Sequence, residues 1–158
     1  MNITSTEKLS LKDEIRELMA RYVRHADEKD WKKLASLFTP GGVFKPLNVE
    51  GEPLIVMEGR QQIAETINQS VGTATAIHHL FSYEIDIIGE NKAKGVFSME
   101  DYLIRPETAE PAPTAHGNIP AFRSLRGYGH YHGDFVKING VWHIEQLIQT
   151  RIKLDFTY

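Results

Sequence analysis

Tyr22, His78, Asp101 and Arg151 are the side chains best suited by type and setting to move a proton or hold an oxygen. Tyr22 lies in LMARYVRHAD, where Leu18, Met19, Tyr22, Val23 and Ala26 recur at steps of three and four and form one apolar helical stripe. A phenol on that stripe faces the core and requires a hydrogen-bond partner there. With an ordinary pKa near 10 it stays protonated at neutral pH, so it can donate to a developing enolate or a departing hydroxyl. His78 and Asp101 fall in neighbouring segments of strand character. A hydrogen bond between them would orient the imidazole and support its protonated form, which makes a general base for neutral pH. Arg151, near the end of the last strand, would anchor a carbonyl, carboxylate or thioester oxygen. Each residue also has a structural alternative: a core tyrosine bonded to a carbonyl, a core histidine, a capped carboxylate, a surface arginine.

Asp27 follows Tyr22 by five residues and leaves the apolar stripe. It is expected to brace the corner between two helices or to pair with Arg60, as a support residue at the substrate site. His130 and His132, in RGYGHYHGDF, share one face of a strand with Tyr128 and Asp134. Such a pair can hold a metal if a third ligand is supplied. A polar pocket wall, with His130 against the substrate, or a subunit contact is the stronger expectation, and no metal is expected.

Several function classes drop out early. The chain has no cysteine, hence no thiolate metal site, no cysteine nucleophile and no disulfide. It has no glycine-rich phosphate loop and no Gly-x-Ser-x-Gly elbow. A net charge of −3 and the absence of a basic, aromatic-interleaved patch argue against nucleic acid. The first residues, MNITSTEKLSLKDE, lack an apolar signal core, and no apolar run reaches membrane-spanning length. The expectation is a cytoplasmic protein.

The elements that must position these residues follow from periodicity. At 158 residues the chain forms one domain. After a loose leader over residues 1–10, helices are expected at about 8–27 and 30–38, the second capped by Asp30. Thr39-Pro40-Gly41-Gly42 breaks the pattern, and a short hairpin is expected from 43–47 and 54–57. A third helix covers 59–71. Strands are expected over 73–88, 93–105, 123–138 and 141–155, the last two joined by Asn139-Gly140. The proline-rich stretch 106–121 is longer than a hairpin requires, and reads as a surface excursion or a flap over a cavity mouth. Helices followed by long antiparallel strands specify an α+β fold, with the helices on one face of a curved sheet. Tyr22 then points into a conical pocket, with Phe38, Phe44, Val56, Phe97 and Met99 as candidate apolar walls. On strict alternation, Trp142, Ile144, Ile148, Ile152, Leu154 and Phe156 share the outer face opposite His143 and Arg151. Covering that face would take a second subunit, so a homodimer or homotrimer is expected.

The segments RYVRHADEKDW, TAIHHLFSYEI, SMEDYLI, HYHGDFVKINGVWHI and QTRIKL, in this order, resemble the SnoaL-like branch of the NTF2-like superfamily. The resemblance runs from about Leu11 to Asp155 and is nearest to bile-acid 7α-dehydratase-like enzymes, with scytalone dehydratase-like enzymes more distant. It implies an NTF2-like cone, with three N-terminal helices packed on a strongly curved, mainly antiparallel sheet. It further implies a cofactor-independent dehydratase with Tyr22, His78 and Asp101 catalytic and Arg151 at the substrate site. The implied substrate is a small to medium hydrophobic, hydroxylated molecule of steroid, polyketide or terpenoid type. The alternatives are a double-bond isomerase using the same proton abstraction, or a non-catalytic ligand-binding or oligomerisation module.

Overall fold

The computed structural model describes residues 2–114 and 119–158. Three helices, α1 (Ser5–Asp27), α2 (Trp31–Ser36) and α3 (Arg60–Val71), pack on a six-stranded curved sheet that does not close on itself. The strands are β1 (Phe38–Pro46), β2 (Met57–Glu58), β3 (Thr75–Gly89), β4 (Lys92–Ile104), β5 (Ser124–Ile138) and β6 (Val141–Thr157). Their order is β2-β1-β6-β5-β4-β3, antiparallel throughout except for the parallel pair β1–β6.

Local chemistry explains most boundaries. α1 starts earlier than the expected leader allows, because Thr4 and Glu7 form a reciprocal capping box. It buries Ile15, Leu18, Met19, Tyr22 and Ala26, and stops where Lys29 takes a left-handed conformation. Asp30 caps α2 through the amide of Lys33. The Thr39–Gly42 stretch ends the helical run as expected but continues as the start of β1 rather than as a loop. Asn139 and Gly140 both have positive φ, the geometry that a two-residue hairpin demands.

The faces of β6 depart from strict alternation. Asp134 and Phe135 of β5 oppose Gln146 and Ile144, so Glu145 is an extra residue; Tyr128 and Gly129 oppose Lys153 and Arg151, so Ile152 is another. Each bulge reverses the side-chain parity. Trp142 and Ile144 are therefore buried on the same side as Leu147, Gln149 and Arg151. Leu154 and Phe156 also return to the inner side, where Phe156 meets the ring of Phe122. Of the six residues expected outside, only Ile148 and Ile152 stay there, which removes most of the apolar surface invoked for a subunit contact.

Small residues on β4 and β5 make room for the core rings. Gly95 lies under Phe97, and Gly133 lies under Phe135. A methyl group at position 133 would collide with the Phe135 ring. Gly133→Ala is therefore expected to destabilise the fold by about 1–3 kcal/mol through overpacking. An unchanged urea midpoint would refute this.

Candidate active site

α1, α2, α3 and the inner face of the sheet enclose a cavity of about 140 Å³. Its apolar wall includes Trp31, Leu34, Phe44, Met57, Ile67 and Leu125, and its polar wall includes Tyr22, His78, Asp101, Tyr131, Gln149 and Arg151. Phe44 is the one expected apolar wall residue that lines it. Phe38 is buried against Tyr22, Phe97 and Met99 are core residues, and Val56 is exposed.

His78 and Asp101 are direct cross-strand neighbours on β3 and β4. They do not bond to each other as expected. The imidazole Nδ1 of His78 lies 2.9 Å from Oδ1 of Asp27, at the C-terminal end of α1. Asp27 does not pair with Arg60 either, whose guanidinium instead donates to the carbonyl of Phe38 at 2.7 and 2.9 Å. Where Asp27 accepts from Nδ1, the neutral imidazole has Nε2 as its free acceptor. That is the tautomer a general base requires.

Asp101 is committed elsewhere. Both of its carboxylate oxygens accept from Arg151, at 2.5 and 2.8 Å, in a buried fork. The pair spans β5, because Asp101 is on β4 and Arg151 on β6, and Gly127 lies beneath it. A Cβ at Gly127 would strike both the guanidinium and the carboxylate, so glycine is required where the charges pass over the strand. Burial acts to raise the Asp101 pKa, but the charge and hydrogen bonds of Arg151 prevail and hold the carboxyl below the usual range. Burial likewise opposes the charge on Arg151, and Asp101 more than restores it. Arg151 thus lines the cavity with its charge already matched, rather than as the free anchor expected.

Two phenols complete the polar wall. Tyr22 and Tyr131 are buried with their rings edge to face, centroids 5.5 Å apart. Burial pushes the pKa of Tyr22 well up, and the Asp101 carboxylate adds to this, while a hydrogen bond with Tyr131 works in the opposite direction. Burial also raises that of Tyr131, reinforced by Tyr22 and Asp101. Both remain proton donors throughout the physiological range. Gln149 Nε2 approaches the Tyr131 hydroxyl at 3.5 Å.

Tyr131 and Gln149 are absent from the sequence-based site. The signal was present: if Tyr128, His130, His132 and Asp134 share one face of β5, then Gly127, Tyr131 and Phe135 occupy the other. His130 accordingly lies outside the cavity, on the outer face, its ring 6.1 Å from that of His132. His132 contacts Thr150 at 3.0 Å. Among the described residues no cluster of three or more histidine, aspartate or glutamate side chains is arranged to hold a metal.

The proline-rich stretch is tied back at both ends. Arg105 donates to the carbonyls of Phe122, Ala112 and Pro113, and Ala112 bridges to Phe122. Thr114 and Ile119 line the cavity, while residues 115–118 of the expected flap lie outside the described residues.

The coupled charges give a signed prediction. Because folded Asp101 holds its proton less tightly than unfolded Asp101 (pKa about 3.9), its stabilisation is complete above that value and is lost as pH falls through the depressed folded pKa. Arg151→Met leaves a buried carboxylate without its partner, at a cost of about 3–5 kcal/mol near neutrality. Burial then raises the folded pKa, so the variant should gain stability as the pH is lowered from 7 towards 4. Urea unfolding across that range, giving parallel curves for the two proteins, would contradict the assignment.

The SnoaL-like domain family matches residues 7–148. A putative scytalone dehydratase from Novosphingobium aromaticivorans is 20% identical over 98% of this chain and 93% of its own, with a TM-score of 0.78. A hexachlorocyclohexane dehydrochlorinase, LinA type 2, is 13% identical over 98% and 94%, with a TM-score of 0.75. The Kfla4162 protein of Kribbella flavida is 19% identical over 91% and 92%, also with a TM-score of 0.75. No curated protein matches the chain in sequence. With nine-tenths of its length covered by one family and the fold shared along the whole chain, the protein belongs to the SnoaL-like domain family of the NTF2-like superfamily.

Proposed function

We propose that the protein is a cofactor-independent lyase that removes water from a hydrophobic substrate bearing a hydroxyl group β to a carbonyl. The observation that carries this reading is the His78–Asp27 pair at 2.9 Å, with the imidazole in the wall of an apolar cavity that also holds two buried phenols. Nε2 of His78 takes the proton next to the carbonyl, and Asp27 steadies the imidazolium that results. The electrons of the broken C–H bond form the new double bond as the C–O bond breaks and hydroxide leaves. The proton held on His78 passes to the departing oxygen, so water is released and the base regenerated. Tyr22 and Tyr131 donate to the carbonyl oxygen as negative charge develops on it, in surroundings too dry for water to compete. Asp101 and Arg151 position this wall instead of exchanging protons with substrate. The putative scytalone dehydratase and the dehydrochlorinase share the fold and carry names of elimination chemistry, which agrees with this reading.

Hydroxylated steroid-, polyketide- and terpenoid-like ketones are the compounds to screen, with loss of one water detected by mass. An isomerase would give a product of unchanged mass. On a confirmed substrate, His78→Ala should lower turnover by about two to four orders of magnitude. Asp27→Asn should cost less, since the base remains and only its support is weakened. Tyr22→Phe should reduce kcat with little change in KM, because the phenol acts on charge that appears in the transition state. Near-native turnover in His78→Ala would assign the proton abstraction to another group.

A further inference from the structure

The cavity that holds the polar groups is small for the substrates just named. Its volume of about 140 Å³ falls below the ~300–1,000 Å³ typical of sites that enclose drug-sized ligands. Beside it lies an outer cleft of about 480 Å³, and Leu54 and Ile119 belong to the walls of both. Leu154 and Phe156 of β6 line the cleft, turned to this side by the bulge at Ile152. Glu50 and Glu52 also line it, their backbone amides held by the side-chain oxygen of Asn48.

Charge narrows what the two spaces accept together. In the inner cavity, the guanidinium of Arg151 is already matched by Asp101. The outer cleft offers two carboxylates, and no lysine or arginine lines it among the described residues. An anionic group carried into the cleft would meet like charge and no counter-ion. An uncharged alkyl or ring extension would instead cover Leu154, Phe156 and the junction residues.

We infer that the inner cavity and the outer cleft are two halves of one substrate site, joined between Leu54 and Ile119. The inner half takes the reacting carbonyl-bearing head and the outer half takes an apolar, uncharged tail. The substrate class is therefore a long neutral ketone, not a carboxylate or an acyl group on an anionic carrier. This rests on the proposed function for the assignment of the head.

The test uses 4-hydroxyphenyl alkyl ketones with chains lengthened from methyl to nonyl, with binding to the intact protein measured by calorimetry. Affinity should rise about fourfold per methylene once the chain passes the junction, as expected for burial of each group. Leu54→Trp, or Ile119→Trp if the first variant folds poorly, should abolish that rise, so that on the variant the long-chain ketones bind no more tightly than the methyl ketone. A terminal carboxylate on the longest chain should weaken binding at least tenfold relative to its methyl ester, and Glu50→Gln with Glu52→Gln should recover most of the loss. If the methyl ketone binds but chain length has no effect, or if the tryptophan variants retain the full rise, the tail site is overturned and the head assignment stands. If no member of the series binds, both are overturned.

Discussion

The buried pair of Asp101 and Arg151 is the constraint around which the rest of the site is arranged. Neither charge is tolerable alone on the inner face of the sheet, and together they need close, doubly hydrogen-bonded contact. That contact runs across β5, so the strand between must carry no side chain at Gly127. The same pair fixes the electrostatics of its neighbours. The carboxylate disfavours ionisation of Tyr22 and Tyr131, and both of its oxygens are taken by Arg151. His78 is then left to the carboxylate that remains, Asp27. The two ion pairs thus have separate settings: Asp101–Arg151 is buried in the cavity wall, while His78, which also lines the cavity, pairs with the more exposed Asp27 at the end of α1.

The bulges of β6 are what bring Arg151 to that pair. Without the extra residue at Glu145, the parity that buries Trp142 and Ile144 would turn Arg151 to the outer face. A second extra residue, at Ile152, then returns Leu154 and Phe156 to the inner side. One strand thereby contributes core, ion pair and the lining of the outer cleft in succession. The consequence for the other face is direct: it carries His130, His132, Thr150, Ile148 and Ile152, a mixed surface in place of an apolar one.

Because one scaffold hosts unrelated reactions, membership of the SnoaL-like family does not choose a chemistry. The choice rests on which groups face the cavity. An oriented imidazole beside two buried phenols suits proton abstraction next to a carbonyl, and the apolar wall from Trp31 to Leu125 suits a substrate held without charge. Helix α1 supplies Tyr22 to the wall of that space and, at its C-terminal end, Asp27 to the imidazole of His78, so its packing against β3 positions both groups.

The sequence alone determined the elements and one half of each site contact. Periods of 3.6 and 2 marked the helices and long strands to within a few residues, Asn139-Gly140 marked the last hairpin, and the stripe through Leu18 and Ala26 placed Tyr22 inside. Strand pairing made His78 and Asp101 neighbours, as the alternating segments suggested. Only the tertiary structure decided which carboxylate bonds to the imidazole. Asp27 is 51 positions from His78 and meets it through the packing of a helix end on a strand, which no local pattern records. That Trp142 and Ile144 share the inward face of Arg151 was likewise invisible, because a single inserted residue reverses every side chain beyond it and bulges leave little trace in composition. Tyr131 lay between: its face could be deduced from its neighbours, but its place beside Tyr22 came only when β5 and α1 closed on the same cavity.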